Sequence, residues 1–353
     1  MNWTGLAKRI AYRSGLLSAI HRLRNRARLT VVMFHRVLVP GSPGWRDADP
    51  DYTVSDQHFT ECLRFFKRHY SVISQADLVA AARAGRALPP YPLLISLDDG
   101  WADNAAVAMP LLLREQVTAT LFVAVDAVSS PRRWWWHEIL VSAWRRGRLT
   151  GLAQARLWQA VFGSPLPQDE TSLSPARLMT LITGLCAIDD PQRWALIEPL
   201  AADLDPTAPR HMMTPEQLRA WTAAGLEVGV HGACHAPLSE MADPGADLRR
   251  GREALADIIG RNEPPPVTMS FPHGRYSALA IDAARQAGYQ LMFTSRLFQT
   301  SLTAGCPRSD IIGRIEIPAP LITDPSGKLC PELLALWLFN RSTSPEARPV
   351  GEK

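Results

Sequence analysis

The chain has 353 residues, 46% of them hydrophobic, which is ample for one large α/β barrel or two ordinary domains. Its net charge of +4 is modest but uneven: the segment before Asp47 holds no acidic residue, while Lys8, Arg9, Arg13, Arg22, Arg24, Arg26 and Arg28 crowd it. Five scattered cysteines (Cys62, Cys186, Cys234, Cys306 and Cys330) form no CxxC pair, which argues against a disulfide framework and for a reduced compartment, and no apolar run is long enough to span a bilayer.

From the N-terminus, residues 6–29 pattern as an amphipathic helix broken at Ser14-Gly15, with Leu6, Ile10, Leu16, Leu17, Ile20 and Leu23 set among arginines. The pattern fits two placements equally: peripheral contact with an anionic membrane through residues 1–28, or a helix packed on the body of the protein. No aromatic platform or nucleic-acid motif accompanies the charge, so nucleic acid is not an expected partner. A compact apolar core with a small-residue cleavage site is also missing, so a secretory leader is not expected.

Residues 29–34 read as a first buried strand delivering His35 to its end. A Gly-, Pro- and Asp-rich loop follows over 40–51, then a helix over 54–70, a short strand at 72–73, and a helix over 74–85 with Ser74 as its N-cap. The next apolar strand ends abruptly in Asp98-Asp99-Gly100-Trp101. Two adjacent carboxylates repel one another, a cost that becomes tolerable if one binds a cation while its neighbour takes a proton. A helix over 101–115 and a strand over 119–124 come next.

The alternation is then interrupted. Residues 129–210 read as a helical insertion lying over the barrel, opened by Trp134-Trp135-Trp136-His137-Glu138. Such a run serves either as packing anchors or as a platform on which sugar rings stack, and Trp136 is the candidate substrate contact. After a helix over 214–224, the strand 227–230 runs into His231-Gly232-Ala233-Cys234-His235. On a helical turn, histidines at i and i+4 share a face, and with a carboxylate they form a three-ligand metal site with open positions. Cys234 is either a buried filler or a soft ligand. A helix over 243–260 leads to a strand ending at Ser270-Phe271-Pro272-His273-Gly274. Helix 278–288, strand 291–294 and a closing strand over 311–318 that contains Arg314 complete the pattern. The repeated strand–helix order predicts a parallel sheet, and the polar tail after Asn340 predicts disorder.

Here the residues resemble a known family. Ser96-Leu97-Asp98-Asp99-Gly100 is similar to the Thr-Phe-Asp-Asp-Gly motif of the polysaccharide deacetylases (carbohydrate esterase family 4, the NodB-homology domain). The stretch from His231 to Pro237 is similar to their His-Ser/Thr-x-x-His-Pro motif, with Ala236 where proline is usual. The stretch at Ser270–His273 is similar to their Arg-x-Pro-Tyr motif, with Ser270 in place of arginine and His273 in place of tyrosine. The resemblance spans roughly residues 29–320, and His35 on the first strand matches a permuted branch in which that histidine is the general acid.

The resemblance implies an α/β fold, a distorted (β/α)7 TIM-like barrel with the insertion at about 129–210. The basic helix 1–28 precedes the barrel, and a C-terminal helix and tail at 321–353 follow it. It implies a divalent metal, zinc first with nickel or cobalt admitted, held by Asp99, His231 and His235. Asp98 would be the base, His35 the acid, and a backbone N–H around Pro272-His273 the oxyanion donor. Arg314 is open between orienting Asp98 and making a surface ion pair. The implied reaction removes the N-acetyl group of an amino sugar in a glycan or lipid-linked precursor. The expected setting is cytoplasmic, peripheral to the inner membrane face, in surface glycan biosynthesis. Two other classes remain open: another metal-dependent amidohydrolase on the same scaffold, and an inactive glycan-binding protein, for which the absent arginine at Ser270 speaks.

Overall fold

The computed structural model describes residues 5–45, 48–149, 151–166, 173–201, 209–260 and 264–343. Among them, parallel strands Arg28–Phe34, Pro92–Asp99, Thr120–Val123, Glu227–Val230, Thr268–Ser270, Leu291–Thr294 and Ile311–Gly313 follow one another around the sheet. The last of these pairs with Leu291–Thr294. After Arg314 the chain continues as Ile315–Glu316, which pairs with the first strand at Val32 and Met33. One closing segment thus bridges both edges of the sheet and curls it into a seven-stranded barrel of the expected α/β class. All eight residues of Pro92–Asp99 are buried, as befits a strand with parallel neighbours on both sides at the centre of the sheet.

The outer helices are started by local chemistry that the sequence displays. Ser55 and Ser74 cap Asp56–His69 and Gln75–Ala84, and Thr214 with Gln217 closes a capping box on Pro215–Ala223. Phe59, Leu63 and Phe66 turn inward from the first of these and are fully buried. Each strand's C-terminal end therefore opens on the same face of the barrel, where the loops that follow it converge.

The insertion consists of helices Trp136–Arg145, Gly151–Phe162, Pro175–Ala187 and Asp190–Ile197, packed around a core of their own that includes Ile139, Leu140, Leu181, Ile182 and Leu185. A smaller apolar cluster of Trp101, Ala124, Ala127, Trp135 and Met212 joins it to the barrel. Backbone bonds from Ala102 to His211 and from His211 to Arg133 tie its ends together.

The N-terminal stretch forms two helices, Gly5–Arg13 and Leu16–Arg24, broken where Gly15 takes a left-handed φ of 81°. They pack on the C-terminal helix Pro331–Phe339, with buried His21 stacked at 4.2 Å on Phe339. Leu6, Ile10, Leu16 and Leu23 stay exposed. No described helix is long and apolar enough to cross a membrane. The start of the tail is held by the barrel, since Gln299 N–H donates to the Ser342 carbonyl at 3.0 Å. The remainder of the expected disorder, residues 344–353, lies outside the described residues.

Candidate active site

Asp98 and Asp99 end their strand side by side, and the backbone turns sharply there: Asp99 and Gly100 both have left-handed φ, 75° and 90°. The turn sends the two carboxylates to different partners. Asp98 accepts a bidentate pair from Arg314, Nη1 to Oδ1 at 2.6 Å and Nη2 to Oδ2 at 2.8 Å. Both residues are 1% exposed, so this is a buried fork of the kind that fixes a carboxylate in position and in charge. Burial alone would push the Asp98 carboxyl up, but Arg314, with help from His231, holds it below the usual range.

Arg314 Nη2 also donates to Ser270 Oγ at 2.7 Å. Ser270 is the position where the resembled family pattern has arginine; here the guanidinium beside Asp98 comes from the closing segment instead. It sits at the break between Ile311–Gly313 and Ile315–Glu316, where no strand pairing constrains it. Of the two readings open for Arg314 in the sequence, the buried partner of Asp98 is the one found, and the surface ion pair is not.

Asp99 Oδ2 accepts from Trp101 Nε1 at 2.9 Å, which leaves Oδ1 buried with no hydrogen-bond donor. Oδ1 lies 3.2 Å from His235 Nε2 and 3.5 Å from His231 Nε2. His231 Nδ1 faces the Ser270 carbonyl at 3.0 Å, an acceptor only, so Nδ1 carries the proton and Nε2 keeps its lone pair. Burial lowers the His231 pKa to about 4, which keeps the ring neutral in the physiological range. An orphaned carboxylate oxygen and two imidazole nitrogens thus converge, their ligand atoms within 4.8 Å of one another. This donor set fits a divalent cation.

The histidines do not share a helical turn, contrary to the i, i+4 reading. Residues 231–237 form a loop in which Gly232 (φ 69°) and His235 (φ 63°) are left-handed. The physical cause is Asp247, buried in helix Pro244–Ile259, whose carboxylate accepts the Ala233 and Cys234 N–H groups at 2.8 and 3.2 Å. Those bonds fold the loop back and bring His235 over Asp99. Cys234 is buried and its carbonyl accepts from Cys186 Sγ; it is not in the ligand group.

The site opens into a cleft of about 530 Å³ that His35, Tyr52, Trp101, Trp135, His137, His273 and Arg314 help to line. His35 stands at the first strand's C-terminal end, its carbonyl accepting from Asn104 Nδ2 at 2.8 Å and its ring edge-on to Tyr52 at 4.8 Å. The chain beyond it is clamped by Asp103, which accepts from Arg36 Nε and the Val37 N–H, both at 2.9 Å. His273 sits in the turn Pro272–Gly274 with a left-handed φ of 56°, and its Nε2 faces the His235 carbonyl at 3.2 Å.

Trp136 is placed elsewhere. It begins helix Trp136–Arg145 and lines a neighbouring pocket, with the Arg193 guanidinium 5.3 Å from its ring. Of the run 134–136, Trp135, the residue before the helix, is the member that lines the cleft. Asp247 carried no sequence signal specific enough to single it out, since its partners Ala233 and Cys234 lie on a separate loop; Trp101 stood beside the two aspartates and Trp135 within the tryptophan run, but neither was marked by the pattern as a partner of the site.

The family model described as polysaccharide deacetylase matches residues 190–292, the part that holds His231, His235 and the Ser270–His273 stretch. Among curated proteins none matches the chain in sequence. Among solved structures, the chain resembles a Streptococcus pyogenes deacetylase, PplD, in complex with acetate (15% identity, TM-score 0.54, covering 88% of this chain and 98% of that one). It also resembles a de-N-acetylase from Aggregatibacter actinomycetemcomitans (17%, 0.52, 81% and 94%). IcaB from Ammonifex degensii is similar to the same degree (17%, 0.52, 89% and 97%). At these identities the likeness is one of fold, and it covers nearly the whole length of each relative. By the family match over residues 190–292 and by its barrel, the chain is similar to the polysaccharide deacetylases of the NodB-homology type.

Proposed function

We propose that the protein is a metal-dependent de-N-acetylase acting on an amino sugar of a glycan or glycan precursor, with Asp98 as its base. The observation that carries this reading is the split between neighbouring carboxylates. Asp98 is held ionised by Arg314, while Asp99 turns a donor-free oxygen toward two neutral-capable imidazoles. Asp99, His231 and His235 would hold the cation, with zinc favoured for one carboxylate and two imidazoles. Such an ion supplies Lewis acidity to the acetyl carbonyl and lowers the pKa of water toward about 7.

The chain's own groups do the rest. Asp98, ionised and oriented by Arg314, accepts the proton of the attacking water. The His273 backbone N–H donates to the oxygen on which charge develops; this donor needs no particular side chain, so the loss of the family's tyrosine leaves it intact. His35, across the cleft, gives a proton to the departing nitrogen. The products are acetate and a free amino sugar. The buried Arg314 fork removes the argument for an inactive binding protein that the serine at 270 had supplied. Metal analysis paired with mass spectrometry of products, on N-acetylhexosamine glycans and simple amides side by side, tests the reading. Acetate release from simple amides alone would replace it with the broader amidohydrolase class.

The substrate favoured is a lipid-linked precursor met at the inner membrane face. In support, Leu6, Ile10, Leu16 and Leu23 remain exposed on the basic N-terminal helices while their other face packs on Pro331–Phe339. Co-sedimentation with anionic vesicles checks this: full-length protein should pellet, and Leu6→Ser with Leu23→Ser should stay in solution.

A further inference from the structure

His137 comes from the first turn of the insertion's helix Trp136–Arg145, yet it reaches the catalytic cleft. Its ring stacks on Trp135 at 4.7 Å and 21°, stands perpendicular to His235 at 4.7 Å, and lies 5.2 Å from His273. It is 6% exposed, and neither of its nitrogens has a hydrogen-bond partner. A buried imidazole with both nitrogens open is costly, and natural proteins keep such groups where something outside the chain completes them.

A metal is one thing that completes imidazoles, and His137, His235 and His273 do lie close enough to hold one. But His235 already turns Nε2 to Asp99, and His273 Nε2 faces the His235 carbonyl. A second ion would have to share His235 through both its nitrogens, which leaves too few independent donors for a separate site. A sugar hydroxyl suits His137 better. Neutral imidazole offers one donor and one acceptor, and a hydroxyl offers the same pair in return. Trp135, which holds the ring in place, adds an apolar face of the kind sugar C–H surfaces cover.

We propose that His137 is a substrate-binding residue of the deacetylase, contributed by the insertion, which hydrogen-bonds a hydroxyl of the N-acetylated sugar and sets its position over the metal-side groups. The proposal rests on the deacetylase reading and adds the residue that recognises the sugar.

The test compares wild type with His137→Phe, which keeps the stacking on Trp135 but cannot hydrogen-bond, and His137→Gln, which restores a donor and an acceptor. The probes are the β-1,4-linked tetrasaccharide of N-acetylglucosamine and its 3-, 4- and 6-deoxy analogues. His137→Phe should lower kcat/KM about tenfold, chiefly through KM, while Gln recovers most of the loss. Against one deoxy analogue the Phe penalty should vanish, a cancellation that a merely structural role would not produce. Metal content and melting temperature should match wild type. Loss of metal in the Phe variant, unchanged kinetics, or failure of Gln to rescue a folded protein would overturn the assignment. If wild type releases no acetate from the tetrasaccharide, the deacetylase reading fails for that glycan. Calorimetric binding then judges His137 separately: weaker binding by the Phe variant supports the contact, and equal or absent binding overturns it.

Discussion

The two walls of the cleft are built on different terms. On the barrel side most groups are committed: both Asp98 oxygens to Arg314, Asp99 Oδ2 to Trp101, His231 Nδ1 to the Ser270 carbonyl, and the loop between the histidines to Asp247, while Asp99 Oδ1 and His235 Nδ1 stay without a hydrogen-bond partner. On the insertion side Trp144 Nε1 donates to the Leu173 carbonyl and Arg145 pairs with Asp49, but the histidine is open. His137 has no partner at either nitrogen, and burial pushes the neighbouring Glu138 up to about 7 although Arg36 and Arg145 pull it down. Strand ends are fixed by the sheet and can hold chemistry within a few tenths of an ångström, whereas a wall added by an insertion is free to be shaped for a ligand. On the proposed reading, the barrel carries the reaction and the insertion its recognition.

The largest break in this contrast should come from the ligand set. His231→Ala, or a chelator added to wild type, should abolish acetate release, and elemental analysis of the variant should find the ion gone. Asp98→Asn should follow, with turnover down about 10³-fold while metal content stays near wild type, because the base and not the ligand is lost.

Arg314→Met sharpens the comparison on the same wall. It leaves a buried carboxylate without its cation and should cost about 3–5 kcal/mol of stability, read by denaturant melts. Its kinetic signature has a definite sign. Arg314 lowers the Asp98 pKa, so without it the carboxylate takes up a proton at higher pH, and the acid limb of the kcat/KM profile should move upward. On the opposite wall, Trp135→Ala should raise KM several-fold with little change in kcat. Smallest of all, Trp136→Ala should leave KM where it was, since its ring lines the neighbouring pocket and not the cleft.

The comparison also separates what local pattern encodes from what it does not. The strand ending in its two aspartates, the capped helices after Ser74 and Thr214, and the break at Gly15 were all legible, because each depends on neighbours within a few residues, whereas the helix expected over 54–70 begins after its cap Ser55. The shape of the loop 231–237 was not: the helical spacing of its histidines was right about their meeting and wrong about the means, since a carboxylate from a later helix bends the backbone. The choice between Trp135 and Trp136 turned on where a helix begins, a boundary the sequence marks poorly.

By itself the sequence determined the class of fold and the four groups Asp98, Asp99, His231 and His235, because buried strands and the charges at their ends are written in consecutive residues. Only the tertiary structure decided that Arg314, 216 positions from Asp98, stands in for the arginine missing at Ser270, and that His137 turns its open ring into the cleft. Both follow from closure: a side chain's partner across a barrel is fixed by which strands meet and how the insertion settles on them, and no local period records that.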